Sequence, residues 1–171
     1  MSEEPLLSTA RFQVTRVQRQ RPDGSRTQRE IIRHPGSVVL LPCVDEQHVC
    51  LIRNYRMAVG QTLVELPAGT LEAGEPPDVC AVRELKEETG YEAGTLTELT
   101  SFFAAPGILD EHMHLFLATQ LTGGSPQREP DEEIENWVVS WDKALEMIRN
   151  GEIRDAKTIV GLLYYTQFHR A

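Results

Sequence analysis

Two short stretches near the start of the chain, RFQVTRV (11–17) and TQREII (27–32), are rich in apolar and β-branched residues and read as strands. Pro22-Asp23-Gly24 between them predicts a tight turn, because proline presets one backbone angle and glycine accepts a positive one. The run HPGSVVLLPCV (34–44) is almost continuously apolar, as expected of a strand covered on both faces. Past the Asp45-Glu46 turn, HVCLIRNYR (48–56) reads as its hairpin partner, and LVELPAG (63–69) leads into a segment with helical spacing. Residues 95–104 and 113–121 predict further strands, 123–130 a polar loop, and ENWVVSW (135–141) another strand. Ser140 predicts a cap for a helix over 142–149, closed by Asn150-Gly151, and DAKTIVGLLYYTQF (155–168) predicts a last helix. Strands interleaved with two or three helices place the chain in the α/β class.

The segment GTLEAGEPPDVCAVRELKEETGY (69–91) carries the most chemistry. Pro76 and Pro77 suit a helix start, where the first amide groups have no partner anyway, and Gly90 suits the left-handed position just past a helix end. Between them lie about three and a half turns. Glu84, Glu87 and Glu88 then stand at i, i+3 and i+4 on one face. Val79, Ala81, Val82 and Leu85 are expected to gather on the opposite side and be buried. Three like charges so placed cost roughly a few tenths of a kcal/mol per pair. A divalent cation removes that cost, and carboxylate-only ligands favour hard ions such as Mg²⁺ or Mn²⁺ over zinc. A solvated acidic face is the bland alternative; the flanking glycines and Arg83 favour metal binding.

Length and composition change the picture little. A chain of 171 residues with 40% hydrophobic and 25% charged content suits one globular domain. A net charge of −9 argues against nucleic-acid or anionic-membrane surfaces. Cys43, Cys50 and Cys80 form no CxxC pair and read as small buried hydrophobes in a reducing compartment. No apolar run is long enough to span a bilayer, and MSEEPLLSTARF lacks the apolar core of a signal peptide, so the cytoplasm is expected.

Residues 69–91 fit the pattern G-x5-E-x7-R-E-U-x-E-E-x-G-U (U, bulky apolar) at Gly69, Glu75, Arg83, Glu84, Leu85, Glu87, Glu88, Gly90 and Tyr91. Such a match arises by chance on the order of once in ten million chains of ordinary composition. It is the Nudix box, and the chain resembles the Nudix hydrolases. Tyr91 stands where an aliphatic residue is commoner. The resemblance implies a mixed sheet between helices with the box on a loop–helix–loop. It covers nearly the whole chain and is closest to the ADP-ribose pyrophosphatases. Pro106 lies fifteen residues after Tyr91, as in that subfamily, and Ala105-Pro106-Gly107 with Asp110-Glu111 resembles its "SPG…E" loop. Leu66-Pro67-Ala68-Gly69, Arg29-Glu30, Arg53-Asn54-Tyr55-Arg56 and the acidic 131–135 stretch are similar too.

What the resemblance implies is specific. The reaction is cation-dependent hydrolysis of ADP-ribose to AMP and ribose 5-phosphate. Glu84 and Glu88 are the main cation ligands, with Glu87 and the carbonyl of Ala68 beside them; Glu75 and Arg83 support the site by an ion pair. A glutamate of the 129–135 segment serves as base, Glu132 first and Glu133 second, although Pro130 stands where a carboxylate is common. Arg56 contacts the pyrophosphate or the terminal ribose, Arg29 and Phe12 frame the adenine, and Glu111 accepts from ribose hydroxyls. An N-terminal hairpin (1–35) precedes the hydrolase domain (36–171). Too small to stand alone, it is expected to cross to a second subunit and form a homodimer with shared sites. The alternatives are a pyrophosphatase for another nucleotide sugar such as GDP-mannose, and a non-catalytic ADP-ribose sensor.

Overall fold

The computed structural model describes residues 2–123 and 134–170. Three strands, β1 (Ser2–Ser8), β2 (Gln13–Gln20) and β3 (Arg26–Arg33), form an antiparallel sheet in that order. The expected hairpin is β2–β3, turning at Gly24, whose φ is +82°. β1 is an addition to the expectation. Its acidic residues pair across the sheet, Glu3 with Arg33 at 2.5 Å and Glu4 with Arg16 at 3.3 Å. Pro5 sits at an irregularity of the register on this edge strand, where a missing N–H costs no ladder bond.

Two further sheets make the body. β4 (Ser37–Pro42) pairs in parallel with β9 (His112–Thr122) and antiparallel with β7 (Ala68–Thr70), while β8 (Glu92–Phe103) closes the far side of β9. β5 (His48–Arg56) stands between β6 (Gln61–Glu65) and β10 (Ile134–Ser140), antiparallel to both. The helices are α1 (Pro77–Glu84), α2 (Trp141–Arg149) and α3 (Ala156–Phe168). LVELPAG thus resolves into the end of β6, a corner, and the start of β7.

Every residue of β4 is buried, which explains its unbroken apolar run. Val39 and Leu41 face a core with Leu51, Leu66, Leu115, Trp141, Met147 and Leu162. Val38 and Leu40 face a second core with Cys80, Ala81, Leu85 and Phe116, beneath α1. Fully burying each such side chain contributes roughly 1.5–3 kcal/mol. α3 packs closely on the β6–β7 corner, because a Cβ at Gly161 would lie 2.6 Å from Leu66 Cδ1. Ser140 caps α2 as expected, accepting from Lys143 N at 3.2 Å, and Gly151 follows with φ +77°. The three cysteines are buried and form no disulfide. Among the described residues, no helix is long and apolar enough to cross a membrane.

α1 departs from expectation in two ways. Its last turn widens into a π-helical turn over Leu85–Thr89, ending at Gly90 with φ +76°. Its phase also differs. Val79 and Val82 point outward, 52% and 59% exposed, whereas Cys80, Ala81, Leu85 and Glu88 are buried. Glu84 and Glu88 therefore share the inward side with the apolar residues rather than opposing them, turned toward the β6–β7 corner, while Glu87 stays part-exposed and the valines take the solvent face.

Candidate active site

The corner after β6 brings the backbone of Ala68 and Gly69 against α1. Ala68 N donates to Glu88 Oε2 at 3.0 Å, and Glu88 is only 3% exposed. Gly69 is glycine for steric reasons: a Cβ there would lie 1.8 Å from the Glu84 carboxyl carbon and 2.0 Å from its Oε1. The Glu84 carboxylate lies against bare backbone, beside the Ala68 peptide.

Arg83 ties the loop to the helix. Its Nε and Nη2 donate to the two Glu75 oxygens at 3.0 Å each, the fork geometry a guanidinium prefers. Nη1 donates to Glu84 Oε1 at 2.7 Å and to Glu87 Oε2 at 3.0 Å. The Arg83 hydrogen bonds hold the Glu75 carboxyl at about 2, far below its ordinary 4.5, while the carboxylates raise the guanidinium above its usual range. Glu75 also accepts from Glu72 N at 2.9 Å, closing the loop before α1. Behind the site, Asn136 of β10 donates to Thr89 O at 2.8 Å and pins the end of the π-helical turn.

A second charged group adjoins this one. Glu65, wholly buried at the end of β6, accepts from Arg56 Nε at 2.8 Å, from Arg56 Nη2 at 2.6 Å and from Lys157 Nζ at 2.5 Å. Burial pushes the Glu65 carboxyl up, and the bonds from Arg56 and the charge of Lys157 outweigh it, leaving the carboxyl below its usual range. Arg56 is raised by Glu65 first, with further contributions from the charges of Glu88 and Asp155. Glu65, Lys157 and Asp155 escaped the sequence reading. The available signal was one glutamate inside the apolar LVELP and one lysine inside an apolar helix, both unusual for burial.

The other expected residues are scattered. Pro106 lies in an exposed turn in which Ala105 O accepts from Ile108 N at 3.0 Å. That turn docks on β3, since Ile108 O accepts from Ile32 N at 2.9 Å and Asp110 receives Arg33 at 2.8 Å. Glu111 accepts from Ser37 Oγ at 2.9 Å. Arg29 is exposed on β3 and donates to Gln28 O at 2.8 Å. Phe12 lines a cavity of about 430 Å³ with Arg11, Arg33 and His34; that lining includes none of the box carboxylates. Glu132 and Glu133 lie outside the described residues.

The NUDIX domain matches residues 33–160, most of the chain. The chain belongs to the Nudix family. Among its relatives, an ADP-ribose pyrophosphatase of Bacillus subtilis (strain 168) is 42% identical over 145 residues, covering 84% of this chain and 78% of that protein. A methanol dehydrogenase activator of Bacillus methanolicus is 39% identical with the same coverage. A GDP-mannose pyrophosphatase of Shigella flexneri is 37% identical over 168 residues, covering 86% and 85%. In structure, the chain matches an ADP compounds hydrolase with a TM-score of 0.84 over 100% of this chain and 95% of that one, at 23% identity. This is the Nudix fold.

Nudix hydrolases work with divalent cations, and this site fits one. Glu84, Glu87 and Glu88 supply only oxygen donors, as hard cations require. The missing Cβ at Gly69 leaves room for the Glu84 carboxylate beside the backbone. Among the described residues no three acidic, imidazole or thiol groups already converge at ion distance. Arg83 meanwhile holds Glu84 and Glu87 by hydrogen bonds.

Proposed function

We propose that this chain hydrolyses the pyrophosphate bond of ADP-ribose, giving AMP and ribose 5-phosphate, with Mg²⁺ as the working cation and Mn²⁺ as a substitute. The observation that carries the reading is the pair Glu84 and Glu88 set against the Ala68-Gly69 backbone, with Arg83 bonded to Glu84 and to the neighbouring Glu87. The identity to the Bacillus subtilis ADP-ribose pyrophosphatase supports the substrate. Glu84, Glu87, Glu88 and the Ala68 carbonyl hold the cation. When bound, the cation neutralises phosphate charge and lowers the pKa of the attacking water.

The chain's own residues orient the reaction. Arg83 holds Glu84 and Glu87 against drift and keeps Glu75 ionised at the loop. Glu88 is kept in one orientation by Ala68 N. Arg56 meets the phosphate oxygens, a role its paired donors suit. Glu132, or else Glu133, takes the proton of the water. Arg29, Phe12 and Glu111 contact the nucleoside and the terminal ribose.

The N-terminal sheet supports a homodimer with shared sites. β1 is exposed along its whole length, a strand left for a second copy to cover. A dilution series in sedimentation that gives only monomer removes this element. The expected compartment is the cytoplasm, in keeping with three cysteines that form no disulfide.

A second substrate is favoured by one relative, the GDP-mannose pyrophosphatase. The deciding experiment incubates the protein with Mg²⁺ and either ADP-ribose or GDP-mannose and identifies the products by mass. AMP and ribose 5-phosphate, lost in Glu88→Gln, support the first reading. Turnover of GDP-mannose alone moves the substrate. Binding of ADP-ribose without turnover of either compound turns the chain into a sensor.

A further inference from the structure

The charged group beneath the box bears on how Arg56 is aimed. Arg56 is a half-exposed residue at the end of β5, and a free guanidinium there samples many rotamers. Glu65 removes that freedom. It receives two parallel bonds from Arg56, which fix both the position and the plane of the guanidinium. Among the described residues, Nη1 makes no hydrogen bond, so one edge of the fork stays available to a ligand.

Glu65 needs support of its own. A wholly buried carboxylate with a single partner tends to take up a proton. Lys157, 92 residues away in sequence and 8% exposed, donates to the same Oε2 that receives Arg56 Nη2. Its ammonium is held in turn by Asp155 at 3.1 Å. Asp155 caps α3 through Thr158 N at 3.0 Å, and the Thr158 hydroxyl accepts from Leu66 N at 2.7 Å. The first turn of α3 thus grips both Glu65 and its neighbour. Stability alone does not require this, because buried ion pairs replaced by apolar residues are often neutral or stabilising.

We infer that Glu65 and Lys157 are positioning residues: Lys157 holds the Glu65 carboxylate, which aims Arg56 at the pyrophosphate of a nucleoside diphosphate compound. The inference rests on the role given to Arg56 under Proposed function. It states that a lysine on α3 controls substrate affinity without touching substrate.

The test compares Lys157→Met, Lys157→Arg, Glu65→Gln and Arg56→Ala, with the double variant Arg56→Ala/Lys157→Met, in steady-state turnover of ADP-ribose with Mg²⁺. Lys157→Met is expected to raise KM about tenfold, the lower range for losing a partner that orients a ligating group. Its kcat should stay within about threefold, the sign of lost binding rather than lost chemistry. Lys157→Arg should restore most of the affinity. In the Arg56→Ala background, Lys157→Met should add nothing. A parallel reading needs no substrate: the Arg56 Nε–H resonance should be resolved in the wild type and in Lys157→Arg, and broadened in Lys157→Met. Should Lys157→Met fail to fold, Glu65→Gln carries the same comparison. An equal KM penalty with and without Arg56, or an unmoved Nε–H signal, overturns the inference. Unchanged kinetics in Arg56→Ala overturn the role of Arg56 itself, and the inference with it.

Discussion

Replacing Gly69 by alanine should separate folding from function. The added Cβ would stand 1.8 Å from the Glu84 carboxyl carbon, 2.0 Å from Oε1 and 2.4 Å from Cγ. Ordinary contact begins near 3.4 Å, so the carboxyl group must retreat by about 1.6 Å. Glu84 is the end of a flexible side chain, so the fold can absorb the move. Gly69 is not in a left-handed conformation, which leaves alanine unstrained there. Gly→Ala also restricts the unfolded chain, offsetting part of the lost Arg83–Glu84 bond, and net stability should stay within about 1 kcal/mol of the wild type. The cation site fares differently. A reacting group misplaced by about 1 Å costs on the order of a hundredfold, about 2.7 kcal/mol in activation free energy. The assay is a Mn²⁺ titration followed by water-proton relaxation, with turnover and a thermal melt on the same preparation. The expected result is a near-normal melting temperature with cation affinity and kcat/KM both far lower. Wild-type cation affinity in the variant would refute the placement of Glu84 in the cation site.

Glu88→Gln keeps an oxygen to accept from Ala68 N, so the variant should fold normally while turnover falls more than about a hundredfold; near-normal turnover would exclude Glu88 as a ligand. The depressed Glu75 carboxyl makes stability depend on pH in a fixed direction: its contribution is complete above 4.5 and is lost as the pH falls toward about 2. Melting temperatures across that window should flatten in Arg83→Met, and an unchanged slope would show that Arg83 does not set the Glu75 proton affinity. Gly161→Ala places a Cβ 2.6 Å from Leu66 Cδ1 and 3.2 Å from Leu115 Cδ1. Overpacking of about 1–3 kcal/mol should outweigh the helix gain of about 1 kcal/mol, so denaturant unfolding should show net destabilisation rather than the increase expected of an exposed glycine.

The sequence made legible those features that local rules decide. The buried β4, the Pro77 start and Gly90 stop of the box helix, the Ser140 cap and the two later helices all follow from neighbours a few residues apart. The features it hid depend on distant partners. β1 is an acidic stretch that pairs along β2, with Glu4 and Glu3 meeting Arg16 and Arg33 on other strands. The phase of α1 is not legible from spacing alone, because the backbone of Ala68, reached only through the fold, receives Glu88 inside. Glu65 and Lys157 each look out of place in sequence, and only the packing of α3 on the β6–β7 corner makes them a pair.

The charge balance explains why aim matters more than attraction at this site. Among the described residues, six carboxylates (Glu65, Glu75, Glu84, Glu87, Glu88 and Asp155) stand against three cations, Arg56, Arg83 and Lys157. Each of those cations is already engaged with at least one carboxylate. A pyrophosphate approaching the bare protein, itself of net charge −9, therefore meets a negative field. On the proposed reading, attraction would come from divalent cations held by the box glutamates. On the function proposed above, the arginines would then serve by direction: Arg83 would keep Glu84 and Glu87 from drifting apart, and Arg56 would present one fixed edge to the substrate. On that reading, binding and orientation are divided between the cation and the chain, while the chain as a whole remains strongly acidic.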